Sequence, residues 1–151
     1  MNRADTLATA IGRGLVAGLA GTAAMTISST VEARLRGRAF STAPARATAK
    51  ALGIREFDSD LAQARWNDLS HWGYGTGWGV LRGLLGATSL SPRAATVAHG
   101  AAIYGAAQVT LPALEIAPPS IFWGAKEIAI DAFHHVVYAT VTGAAHTALT
   151  R

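Results

Sequence analysis

Four stretches of this chain, residues 11–31, 72–90, 94–114 and 128–149, are apolar or small almost throughout and poor in charge. Residues 11–31 (IGRGLVAGLAGTAAMTISSTV) make about 31 Å of helix, against a bilayer hydrocarbon core of about 30 Å. The pattern therefore predicts an all-α fold: a single membrane domain over residues 1–151 with four transmembrane helices. Each stretch is interrupted by at least one ionisable group: Arg13 in the first, Arg82 in the second, His99 in the third, and Asp131, His134, His135 and His146 in the fourth.

Residues 32–70 form the one long polar connection. Within it STAPARATAKALG predicts a short helix with Ser41 or Thr42 as N-cap, Pro44 in the first turn and Gly53 closing the end. A second helix is expected to start at Ser59 and run into the second stretch, with Trp66 and Trp72 marking the membrane interface. Pro118 and Pro119 stop the third stretch, and Trp123 anchors the start of the fourth. With four crossings, residues 32–70 and 115–127 share one side. That side carries Arg34, Arg36, Arg38, Arg46, Lys50, Arg55, Arg65 and Lys126, against Arg3, Arg13, Arg82, Arg93 and Arg151 on the other. The positive-inside bias then places the long connection in the cytoplasm, in an inner or plasma membrane.

Composition supports this over a soluble bundle. Half the residues are hydrophobic and 15% are charged, where a soluble domain averages about 25%. Gly14-x3-Gly18 and the overlapping Gly75-x3-Gly79-x3-Gly83 carry the spacing that lets helix backbones approach closely in lipid. A soluble helix would carry such glycines at a cost of about 1 kcal/mol each relative to alanine. The apolar run after Arg3 lacks a convincing small-x-small cleavage site, so it reads as an uncleaved first span. A soluble helical binding module remains the second alternative.

A formal charge of +4 does not make a nucleic-acid binder, because the basic residues of 34–65 are mixed with Glu56, Asp58 and Asp60. No nucleic-acid partner is expected. The expected partners are the lipid bilayer and a second copy of the chain or another membrane protein. The chain has no cysteine, which excludes disulfides, thiolate metal sites and cysteine nucleophiles.

One segment repeats. HWGYGTGWG at 71 and HVVYATVTG at 135 share H-x2-Y-[GA]-T-x2-G, pairing His71 with His135, Tyr74 with Tyr138 and Gly79 with Gly143. A looser version surrounds His99, and the echo suggests a fold of two related helical hairpins. On a helix, His71, Gly75, Trp78 and Arg82 share one face, as do His135, Ala139, Thr142 and His146. The glycines of this stretch match neither a P-loop nor a dinucleotide fingerprint. They suit a helix that packs closely, with His and Tyr as interhelical hydrogen-bonding groups.

Depth sorts the polar groups into two layers. Glu32, His71, Tyr74, Asp131, His135 and Tyr138 form a layer towards the long-connection side, and Arg82, His99 and His146 a second layer beyond it. A mid-membrane arginine is costly, so Arg82 is expected to snorkel towards residue 90 or to line a polar cavity. The packing residues are Gly14, Gly18, Gly75, Gly79, Gly83 and Gly143. Asp131 and His135 lie one turn apart on a helical face, whereas His134 points elsewhere.

Two functions suit these layers. The first is a non-enzymatic membrane component that handles protons or a small solute. The alternative is a metal-dependent membrane enzyme in which Glu32, His71, Asp131 and His135 hold zinc, iron or manganese. No HExxH-like motif supports the metal, no cofactor is expected, and no serine nucleophile sits in a recognisable elbow.

HWGYGTGWGVLRGLLG, HGAAIYGAAQVTLPALEIAPP and KEIAIDAFHHVVYATVTGAAHTAL resemble the YagU-like small integral membrane proteins, a domain of unknown function. The resemblance covers about residues 10–149 and is strongest from His71 onward. It implies a four-helix inner-membrane protein, with no established activity and no catalytic residues to carry over. Ala139 departs from the glycine common in that motif.

Overall fold

A computed structural model of the chain describes residues 3–151, with side chains from Thr6 onward. Five α-helices follow one another: α1 (Arg3–Arg36), α2 (Ala43–Ala51), α3 (Asp60–Gly86), α4 (Pro92–Ala113) and α5 (Ala125–Leu149). A 3-10 turn at Ser120–Phe122 separates the last two. No strand occurs among the described residues. Only one described helix is long and apolar enough in overall composition to cross a membrane, α1, over Thr6–Arg36.

The polar connection is held by local chemistry. Gly37 and Gly53 end α1 and α2 in the left-handed region, at φ +62° and +72°. In both cases the next amide turns back onto the helix: Arg38 N–H donates to Ala33 at 3.0 Å and Ile54 N–H to Ala49 at 2.9 Å. Thr42 is the N-cap of α2 but makes no side-chain cap bond. Ser59 caps α3 and accepts from the Ala62 amide at 3.2 Å. The α2 helix lies on α3, where Trp66 Nε1 donates to the Ala45 carbonyl at 3.0 Å and Thr48 Oγ1 to Ser70 Oγ at 2.8 Å. The start of α3 is therefore a long helical extension before the apolar stretch, and residues 87–90 belong to the turn that follows it.

The four long helices pack as antiparallel neighbours with one recurring register. Thr26 meets His71, Thr22 meets Gly75, Gly18 meets Gly79 and Gly14 meets Gly83, stepping four residues back in α1 and four forward in α3. A Cβ on Gly79 would run into the Gly14 carbonyl and the Gly18 Cα, so these helices touch backbone to backbone. The ladder recurs between α4 and α5, where Tyr104 meets His135, Gly100 meets Ala139 and Thr96 meets Gly143. Each α4 residue lies 78 positions beyond its α1 counterpart, and each α5 residue 64 beyond its α3 counterpart.

Contacts between the hairpins follow the same correspondence. Gly21 of α1 faces Thr142 of α5 so closely that any Cβ there would strike the threonine hydroxyl. At the matching place His99 of α4 faces Trp78 of α3, its Nε2–H donating to the Trp78 carbonyl at 3.0 Å. Where one hairpin contact has a glycine the other has an imidazole. Accordingly α1 lies close against both α3 and α5, while α3 and α4 are less closely packed.

Candidate functional site: a buried polar column

The interior of the bundle is polar. Arg82, Tyr138, His99, Thr22 and Thr142 are the largest fully buried side chains. Four of the buried polar groups, His134, Tyr138, Thr142 and His146, succeed each other every four residues on α5, and each is at most 5% exposed. At 1.5 Å per residue this stripe runs about 18 Å along the bundle. A four-residue step keeps side chains on nearly one face, and that face points between α1, α3 and α4.

The column begins beside Glu32. His134 Nδ1 lies 2.9 Å from Ser28 Oγ, and its Nε2 faces Glu32 Oε2 at 3.8 Å. Next comes Tyr138, whose hydroxyl donates to the Gly75 carbonyl at 2.6 Å and whose ring lies 5.5 Å from that of His99. Thr142 follows, and His146 ends the stripe with Nδ1 3.2 Å from Arg82 Nη1. Four buried atoms along this path have no hydrogen-bond partner: His134 Nε2, His99 Nδ1, Thr142 Oγ1 and Arg82 Nε. Buried polar groups are ordinarily satisfied, so four exceptions in one column mark it as the functional candidate.

At the Glu32 end an ionic cluster ties α1 to α5. Arg36 bonds Glu32 at 2.9 Å and Glu127 at 3.0 Å, and Arg38 Nε bonds Glu32 at 3.1 Å. Hydrogen bonding and charge from the Arg36 guanidinium hold the Glu127 carboxyl below its ordinary value.

The residues singled out from sequence fall into different places. His71 donates from Nε2 to Thr26 Oγ1 at 2.8 Å, since that hydroxyl already donates to the Thr22 carbonyl. His135 donates to the Asp131 carbonyl at 2.8 Å, and its ring lies 5.2 Å from that of Tyr104. Asp131 accepts from Gln108 Nε2 at 3.3 Å. His71 and His135 thus occupy matching rungs of the two ladders, one facing α1 and the other α4. Tyr74 departs from the expected layer: it is on the outer side of α3, 38% exposed, with its ring edge-on to Trp78 at 6.1 Å.

His134, read from sequence as pointing away, is the member of the pair that enters the interior; His135 is half-buried against α4. The signal that could have found it is the four-residue stripe His134, Tyr138, Thr142, His146. The four candidate metal ligands are not drawn together. Glu32 is engaged by Arg36 and Arg38, His71 by α1, and Asp131 and His135 by each other and α4. No group of three or more His, Asp or Glu among the described residues is arranged to hold a metal. Arg82 reaches back towards the α3–α4 turn, with Nη2 3.4 Å from the Pro92 carbonyl, and lines a small polar pocket there.

Compared with protein-family models, curated proteins and solved structures, the chain has no match in any of the three.

Proposed function

We propose that this chain is a non-enzymatic membrane protein in which α1, the later part of α3, α4 and α5 cross the bilayer, and that its polar column handles protons. The observation that carries this reading is an inverted burial pattern. The interior holds Arg82, His99, Tyr138 and Thr142, while Val16, Ile27, Val97, Val109, Phe133 and Val136 are between 56% and 72% exposed. Water penalises such an arrangement, whereas lipid accepts the apolar exterior and drives polar groups inward. On α5 the polar side chains His134, Tyr138, Thr142 and His146 turn towards the interior, which leaves Phe133 and Val136 on its exposed surface.

Proton handling follows from the groups in the column. Imidazoles at both ends and near the middle can take and release a proton at either ring nitrogen, and hydroxyls between them can accept and donate. The unpartnered nitrogens and oxygen are where water or hydronium would bond in passing. The common register of the two ladders supports a protein built from two related hairpins. The YagU-like resemblance is in keeping with a four-helix inner-membrane protein, and the basic long connection with a cytoplasmic location for that side.

Full-length protein in liposomes loaded with a pH-sensitive dye tests the reading. An imposed pH gradient should collapse faster than in protein-free vesicles, and Thr142→Val or Tyr138→Phe should slow it. A collapse rate equal to that of empty vesicles would sink the proposal.

A further inference from the structure

At the ionic end of the column, one buried nitrogen lacks the partner that a proton would give it. His134 is 5% exposed, and its Nδ1 lies 2.9 Å from Ser28 Oγ, whose own hydroxyl donates to the Met25 carbonyl at 3.0 Å. With that hydroxyl proton committed, Nδ1 donates to Ser28, and the neutral ring is left with a bare lone pair on Nε2. That nitrogen has no hydrogen-bond partner and faces Glu32 Oε2 at 3.8 Å. A lone pair set against a carboxylate gains nothing. One added proton makes the contact attractive, and an approach of about 1 Å brings it to the length of a charge-assisted hydrogen bond. The doubly protonated ring then has a partner on each side, Ser28 at Nδ1 and Glu32 at Nε2.

The groups around the ring decide how firmly such a proton is held. Burial opposes charge there, so a facing carboxylate has to offset it. Glu32 of α1 and Asp131, three residues earlier on α5, favour the proton, whereas Arg38 in the turn after α1 and His135 oppose it. Near the same level α3 presents His71, held by Thr26, and α4 presents Tyr104 and Gln108, which meet His135 and Asp131. Glu32 stays ionised wherever an imidazole titrates, because hydrogen bonds from Arg38 and Arg36 hold its carboxyl down at about 2. Its Oε2 is also the oxygen that accepts from Arg38 Nη2.

We infer that His134 and Glu32 together form a proton-binding site at the mouth of the column. The proton bonds to His134 Nε2, no other covalent bond changes, and Glu32 Oε2 is shared between the imidazolium and Arg38. The role of this site rests on the proton-handling reading, but its occupancy is an equilibrium property that needs no flux.

Full-length protein with ¹⁵N-labelled histidine, in detergent micelles, is titrated by NMR, with H134Q identifying the His134 signals. The neutral ring should carry its proton on Nδ1, and Nε2 should take one up as pH falls. E32Q should weaken proton binding at His134 about tenfold or more, a midpoint lower by about one pH unit or further. R38Q removes a facing cation and frees Glu32 Oε2, and should move the midpoint upwards. The signals of His146, at the far end of the column, should keep their midpoint in both variants. An unchanged His134 midpoint in folded E32Q, or in R38Q where E32Q does not fold, overturns the inference. So does a neutral ring protonated on Nε2, or a ring that never titrates while the protein stays folded. If the pH gradient across liposomes still collapses in the presence of the protein, those results remove this site and leave the proton-handling reading standing. A loaded site without flux does the reverse.

Discussion

The Tyr138 hydroxyl donates to the Gly75 carbonyl at 2.6 Å, joining the echoed motif of α5 to the first copy of that motif in α3. The bond places the phenol at the centre of the column, over the point where Thr22 packs on Gly75. Tyr138→Phe removes one interhelical hydrogen bond and little volume. It should cost about 0.5–1.5 kcal/mol of stability in detergent, read as a lower unfolding midpoint with the helical content unchanged. An unaltered midpoint would mean that this bond contributes nothing to the pairing of α3 with α5.

The α1–α3 ladder predicts a sharp contrast between two glycines one half-turn apart. A methyl on Gly79 meets the Gly14 carbonyl and the Gly18 Cα, whereas one on Gly77 meets nothing within 4 Å. Gly79→Ala should force the helices apart at a cost of about 1–3 kcal/mol. Gly77→Ala should be neutral or gain up to about 1 kcal/mol from helix propensity. Thermal unfolding of the two variants checks this; similar midpoints would contradict a backbone-to-backbone contact.

The Arg36–Glu127 pair predicts an acid-sensitive tie between α1 and α5. The Glu127 carboxyl is lowered from its ordinary 4.5 by Arg36. A carboxyl lowered in the folded state contributes stability that is full above the unfolded value and is lost as pH falls through the folded one. The native chain should therefore melt above R36Q at neutral pH, and the gap, to which the Arg36–Glu32 bond also contributes, should narrow as pH drops below about 4.5 and close as it approaches the lowered value of Glu32, about 2. Both partners are partly exposed, at 28% and 49%, so the gap should be small and should shrink with salt. A gap that persists in strong acid would exclude the carboxylate as its source.

Much of the architecture is legible in the sequence because it rests on local rules. Ser59 starts a helix and Gly53 ends another, whereas the first helix runs past the expected limit at residue 31 to Arg36. The fourfold spacing of Gly14, Gly18, Gly75, Gly79 and Gly83 coincides with the face along which α1 and α3 meet. The site is less legible. His134 and His135 are adjacent in sequence and 100° apart on a helix, and only the rotation of α5 against its neighbours decides which one enters the interior. Tyr74 and Tyr138 match in the echoed motif, yet Tyr138 is buried and Tyr74 exposed, because α5 is surrounded by three helices and the outer side of α3 by none. Glu32 has the chemistry of a ligand, but arginines from its own helix end and the following turn reach it first.

We propose that this apolar-surfaced bundle with a polar interior crosses a bilayer four times. The absence of cysteine makes single-cysteine labelling with a membrane-impermeant maleimide the most direct measurement. Four crossings predict that Ser89→Cys and Thr150→Cys are labelled only from one side of the membrane, and Arg55→Cys and Lys126→Cys only from the other. Labelling of Ser89→Cys and Lys126→Cys from the same side of sealed membranes, or recovery of the protein in the aqueous phase without detergent, would contradict it.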